Sequence, residues 1–212
     1  MKITNFKPFR KSKGLKSSLL ILLSLVISTS LLAQVSSDSL SKDKYFIEYI
    51  TAMQNMNNHL IETFSSEGLK QLPKMIQQIE DKNLNEDEQY VAIANVFKLK
   101  DSTSFRSFQK VIAGDFIKLQ EKYGLFFDKD IYVDESIFVK AATILLQTSN
   151  GCAHPWKYGF CSASVTFQGE LLLAACEAAS SGIATPLCLA GSIAFGIDGI
   201  NDCYEKWCKY SN

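Results

Sequence analysis

The chain has 212 residues, with 22 Lys and Arg side chains against 22 Asp and Glu, a length for one medium domain or two small ones. Lys2, Lys7, Arg10, Lys11, Lys13 and Lys16 all precede the first acid, and without them 16 cations face 22 acids, a net charge near −6. With Arg106 as its one arginine beyond that point, such a chain has no electrostatic footprint for nucleic acid and is not a cationic membrane-surface peptide.

The six cations lead into an apolar run, LLILLSLVI (19–27), and then STSLLAQ (28–34). A basic stretch, a short apolar core and a small residue at the cut site describe a secretory signal peptide. Cleavage is expected after Ala33, which makes 1–33 the leader and places the mature chain in the periplasm or outside the cell.

Residues 34–150 read as helical throughout. KDKYFIEYITAMQNMNNHLIETF (42–64) sets Phe46, Tyr49, Ile50, Met53, Met56, Leu60, Ile61 and Phe64 at spacings of three and four, a single apolar stripe. A second helix is expected near 69–82, with Pro73 tolerated in its first turn. NEDEQYVAIANVFKL (85–99) opens with Asn85 and Glu88, the capping-box spacing. TSFRSFQKVIAGDFIKLQEKYG (103–124) stacks Phe105, Phe108, Val111, Ile112, Phe116 and Leu119 and ends at Gly124, a natural helix terminator. FFDKDIYV (126–133) has the look of an extended segment. DESIFVKAATILLQ (134–147) begins with acids that suit the positive end of a helix dipole. Four or five such helices with short connections make a bundle. His59 falls at the edge of the first stripe and reads as a packing histidine. The acids of NEDE are dipole complements in a first turn, not a carboxylate pair across a cleft.

The polar stretch TSNG (148–151) reads as a stop and linker, and all six cysteines lie beyond it: Cys152, Cys161, Cys176, Cys188, Cys203 and Cys208. In an exported chain this is a disulfide framework with fifteen possible connectivities. SSGIATP (180–186) carries Gly182 as terminator, Thr185 as N-cap and Pro186 at the first helical position, so the sequence predicts two helices, roughly 163–181 and 186–204, joined by a tight turn. Facing residues of an antiparallel pair have indices of constant sum. The indices 161 and 203 share theirs with 176 and 188, and 152 and 208 come close to it. The expected ladder is Cys152–Cys208, Cys161–Cys203 and Cys176–Cys188. The small residues Ala174, Ala175, Ala178, Ala190, Gly191, Ala194 and Gly196 would permit the close approach that a disulfide needs, and bridges of about 3 kcal/mol each suit so small a core.

The thiol and imidazole of CAH (152–154) raise a metal site or a Cys–His nucleophile. The cysteine spacings match no zinc pattern, and an exported thiol would be oxidised. GCAHPWKYGFC (151–161) therefore reads as a rigid entry loop fixed by Pro155 and Trp156. No catalytic residue, cofactor site or metal ligand is expected anywhere in the chain.

From Ser162 to Ile197 the only charges are Glu170 and Glu177. One reading buries this apolar hairpin against the helical half. The other makes 151–212 a module that partitions into membranes as a helical hairpin. CSAS (161–164), AACEAAS and PLCLAGS (186–192), set behind a leader and a cysteine-free helical region, resemble the precursors of halocin-type bacteriocins and fulvocin-related proteins. That resemblance implies a secreted antibacterial peptide acting on a target-cell membrane, the helical half serving as pro-region or self-protection domain, with an immunity or receptor protein as partner. The sequence thus predicts an all-α, non-enzymatic, exported bacterial protein. It has a helical bundle over 34–150 and a disulfide-stapled antiparallel helical hairpin over 151–212. The hairpin serves either as a membrane-active toxin or as part of one core in a secreted binding or structural protein.

Overall fold

The structure, a computed structural model, describes residues 36–123, 135–147, 152–180 and 185–209, the side chains of 174–180 excepted. All regular structure in these residues is helical: α1 (Ser37–Ser41), α2 (Lys44–Thr63), α3 (Ser66–Glu80), α4 (Glu86–Val96), α5 (Ser102–Tyr123), α6 (Glu135–Leu146), α7 (Pro155–Ser180) and α8 (Pro186–Tyr204), which runs into a π-helical turn, Glu205–Lys209. The segment 126–133 and the terminator Gly124 lie outside the described residues.

Polar caps fix most of the helix starts. Ser36 and Ser39 close a capping box on α1, and Asn85 and Glu88 close one on α4, each of the latter pair's two bonds measuring 3.0 Å. Ser65 Oγ accepts the Gly68 amide at 3.2 Å to open α3. That cap starts α3 at Ser66, so Pro73 falls in the helix interior and not in the first turn as the sequence predicted. The ring lies on the exposed side of α3, and the carbonyl that its missing N–H leaves without a helix bond is that of the buried Leu69. After α3 and α4 the chain turns through left-handed residues, Asn83 (φ 49°) and Lys98 (φ 53°). The second turn is held by His59, whose Nε2 donates to the Phe97 carbonyl at 3.0 Å, and by the Lys98 ammonium, 4.4 Å from the centre of the Phe64 ring. His59 is thus a structural tie between α2 and the end of α4.

A second correction concerns the tail. Its first helix begins at Pro155, not near 163, so Pro155, Trp156 and Tyr158 form the first turn of α7, and among the described residues of GCAHPWKYGFC only 152–154 are non-helical. Proline is favoured at a first helical position because its φ is preset and it has no N–H to leave unpaired. The Tyr158 amide bonds back to the His154 carbonyl at 3.0 Å, closing that turn.

The stripes meet in one core. Phe46 of α2 contacts Phe138 of α6 edge to face at 5.5 Å, and Phe138 contacts Phe167 of α7 at 5.4 Å. Phe97, Phe105 and Tyr90 form a second aromatic group between α4 and α5. Helix α8 packs on α7 and also on α2, α3, α4 and α5, and its Leu189, Ala190, Ala194 and Ile197 are wholly buried. The composition break at 148–151 is therefore not a break in packing: Val35–Asn212 is one compact unit. Between α7 and α8, residue 161 bonds to 203, Val165 lies against Gly199, and Gly169 faces Ser192, so their contacts run in opposite chain order. Between α6 and α7 the approach is closer still. A Cβ on Gly159 would lie 3.0 Å from both the Thr143 carbonyl oxygen and the Gln147 amide nitrogen.

The first and last turns of the α2–α5 pair are tied by Asp43. Its carboxylate, almost fully buried, accepts from the amides of Tyr45 and Phe46, from Tyr123 Oη at 2.7 Å and from the Lys122 ammonium. Burial alone would push this carboxyl up. The bonds from Lys122 and Tyr123 and from the two amides outweigh it and hold the carboxyl below the ordinary aspartate range, and Lys122 in turn is pushed up to about 12 by its bond to Asp43.

Replacing Asp43 with Ala removes a cap and a buried acceptor and lowers the free energy of unfolding by about 2 kcal/mol at neutral pH. Because the folded carboxyl is depressed, its contribution is complete above the unfolded pKa of about 4 and is lost as pH falls through the lower folded value. Urea unfolding at a series of pH values should therefore show the gap between wild type and Asp43→Ala closing only in acid. Gly159→Val forces a side chain against the backbone of α6 and destabilises by about 1–3 kcal/mol. Gly114→Ala in α5, where a Cβ meets nothing within 4 Å, leaves stability unchanged or raises it by up to about 1 kcal/mol.

Candidate functional site

The disulfide-bonded end of the molecule has a small core of its own. Cys152 is bonded to Cys208, 56 residues on, and Cys161 to Cys203, 42 residues on. Tyr158, Cys203 and Cys208 are buried, with Cys152, Cys161, Val165 and Trp207 packed around them. Cys188 is buried and disulfide-bonded. The side chain of Cys176, its expected partner, lies outside the described ones. His154 has no role with the thiols: its amide donates to the Trp207 carbonyl at 3.2 Å, and its ring meets Trp207 edge to face at 6.0 Å. Tyr158 stacks edge-on with Tyr204 at 6.3 Å, and burial pushes its phenol up in pKa, with Ser162 opposing.

Two cavities adjoin this end. One, between α2, α6, α7 and α8, has a volume of about 10 Å³ and is lined in part by Asn57, Tyr158, Ser162 and Thr166. It has room for one water and no ligand. The other is an open groove of about 470 Å³ bounded by Trp156, Phe160, Val165 and Trp207, with Cys161, Ser164, Lys157 and Lys206 completing the wall. This volume is in the range of small-molecule sites.

Each wall of the groove has a traceable origin. Starting α7 at Pro155 puts Trp156, Phe160 and Ser164 one turn apart on a single helix face. Trp156 and Phe160 are 55 % and 52 % exposed, high values for side chains of this size. Ser164 spends its hydroxyl on the Phe160 carbonyl at 3.0 Å, so the floor offers little polar competition. Opposite, the π-helical turn carries Lys206 and Trp207 and is pinned by the Cys152–Cys208 bond. The Lys157 and Lys206 ammonium groups lie 4.6 and 4.9 Å from the centre of the Trp207 ring, the arrangement of a cation over an aromatic face. Neither is in a salt bridge among the described residues. The adjacent acid, Glu205, is engaged elsewhere: it accepts from Ser66 Oγ of α3 at 3.1 Å and pairs with Lys209 at 3.4 Å.

The structure thus gathers four of the six predicted cysteines at one end, where they brace an aromatic groove that the sequence reading did not single out. The signal for it was the pair Trp156 and Phe160 at helical spacing, readable only once the helix start is moved back to Pro155. No protein-family model matches the chain, and neither the curated proteins nor the solved structures include one that is similar to it.

Proposed function

We propose that this is an exported, non-enzymatic helical binding protein whose disulfide-bonded C-terminal part belongs to one core and offers the aromatic groove as its ligand surface. The observation that carries this reading is the burial of α8, an apolar helix whose Leu189, Ala190, Ala194 and Ile197 are covered by both the first half and α7. In this reading the two tail helices form a stapled antiparallel hairpin, and the hairpin is a structural part of the domain and not a detachable one. Disulfides suit an oxidising compartment, which agrees with cleavage after Ala33 and a periplasmic or extracellular location. Among the described residues no helix is long and apolar enough to cross a membrane.

A second reading keeps the bacteriocin-like precursor, with 151–212 as a membrane-active toxin and a target-cell membrane or an immunity protein as partner. Its support is the apolar outer face of the tail, where Trp156, Phe160, Leu171, Leu172 and Phe195 are exposed.

Hydrogen exchange on the oxidised chain separates the two. Amides of α8 should be as protected as those of α2 and α5, opening only with global unfolding, and micromolar protein should release no dye from loaded vesicles. Earlier exchange across 152–209 as a unit, together with dye release, would replace the binding reading by the toxin reading.

A further inference from the structure

We propose that the groove takes a single anionic amphiphile, its apolar tail on Trp156, Phe160 and Val165 and its acid group between Lys157 and Lys206. The inference rests on the binding reading and names the ligand's chemistry. Three features on the groove lead to it. The walls are aromatic and aliphatic, and the one hydroxyl among them, on Ser164, is already committed to the backbone. Such a surface favours an apolar body over a sugar or a peptide rich in polar groups. The charge at its edge is of one sign. Both ammonium groups lie within 5 Å of the same ring centre, so they are no more than about 10 Å apart, one Debye length at 0.1 M salt.

Two like charges within that range repel each other, and one carboxylate or phosphate beside them relieves the repulsion. This happens on a chain whose mature net charge is near −6, and with Glu205 turned away toward Ser66 and Lys209. On such a surface an acidic cleft would be ordinary; two cations on an apolar groove select for a ligand with one acidic end. The concave shape matters too. A bilayer surface meets protruding side chains, whereas an open groove of about 470 Å³ has room to seat one molecule. The Cys152–Cys208 and Cys161–Cys203 bonds keep both walls in place before the ligand arrives, which lowers the ordering required on binding.

The test uses the chain's own fluorescence. It has only two tryptophans, Trp156 and Trp207, and both line the groove, so their emission reports on this site alone. The oxidised protein is titrated with decanoate, decyl maltoside and decyltrimethylammonium, each below its micelle concentration. The expected result is a blue shift with decanoate at an affinity about ten-fold tighter than for decyl maltoside, the yield of two partly exposed ion pairs. Decyltrimethylammonium should bind weakest, and added salt should narrow the difference. The double variant Lys157→Gln, Lys206→Gln should bind decanoate no better than the maltoside, while Phe160→Ala weakens both.

Equal affinity for all three amphiphiles, or no effect of the double lysine variant, overturns the anionic preference and leaves the binding reading standing. No response to any of them overturns both. A shift with phosphatidylglycerol vesicles but not with monomeric decanoate replaces the single ligand by a membrane surface. Emission that is already blue without ligand and does not move means that the chain's own end or a second copy fills the groove, which likewise overturns the proposal.

Discussion

The burial of α8 is the constraint on which the rest of this molecule depends. From Pro186 to Ile197 the helix carries no charge, and its inner positions are filled by Leu189, Ala190, Ile193, Ala194 and Ile197. A helix apolar on so much of its circumference is stable in water only when other elements surround it. Here α7 covers one side and α2 to α5 cover the others. The small side chains of α8 share one core with large aromatic ones, Phe46, Phe138 and Phe167 of α2, α6 and α7, which stack in succession. Small residues on one partner and large ones on the other allow close axes without voids.

The disulfides do different work. They do not hold α8 in the main core; they close the end of the domain where the core is thin. Loops of 56 and 42 residues are long enough for each bond to remove about 4 kcal/mol of chain entropy from the unfolded state in the loop-closure model. The buried cluster there is small, with Tyr158 its one large buried residue. Neither the π-helical turn nor the three-residue coil 152–154 has the regular bonding of a long helix. The Cys152–Cys208 bond joins them to each other and the Cys161–Cys203 bond joins α7 to α8, which gives Trp207 a fixed place opposite Trp156 and Phe160.

Much of this was legible in the chain itself. Caps announced themselves through side-chain chemistry: Asn85 with Glu88, and Thr185 with Pro186, sit where the helices begin. The cysteine indices carried the order of contact between α7 and α8, since 161 bonds to 203 where Val165 lies against Gly199. Two kinds of information were not local. Pro73 was assigned to a first turn because proline costs about 3 kcal/mol inside a helix, but that cost is outweighed here by the Ser65 cap eight residues upstream and by the burial of Leu69, Leu72, Ile76 and Ile79 on the inner face. The start of α7 was placed too late because GCAHPW has the composition of a turn, and only the packing of Gly159 against the α6 backbone makes helix the better choice there. The groove needed that boundary and also the position of Trp207, which arrives from the other end of the tail through a disulfide. The Lys122 partner of Asp43 is nearly eighty residues away in sequence, and no periodicity could reveal it.

The position of α8 also sets the terms on which the tail could act apart from the first half. Leu189, Ile193, Ile197 and Ile200 are each buried to within 5 % of completely, and exposing a side chain of this size costs about 1.5–3 kcal/mol. Complete exposure of all four would cost on the order of 10 kcal/mol, comparable with the entire stability of an ordinary domain, about 5–15 kcal/mol, and separating α8 from the first half alone forfeits a part of that. Cutting the chain near 151 would not change this, because a cut removes a covalent link and leaves the packing in place. Release of a membrane-active tail would therefore be an unfolding event, driven by a membrane that binds the opened hairpin more tightly than the core does. In the folded protein the parts of the tail that can meet another molecule are those already outside the core. Among the described residues of the tail, Trp156, Phe160 and Trp207 with their two lysines form a surface that combines concavity, apolar walls and a single sign of charge.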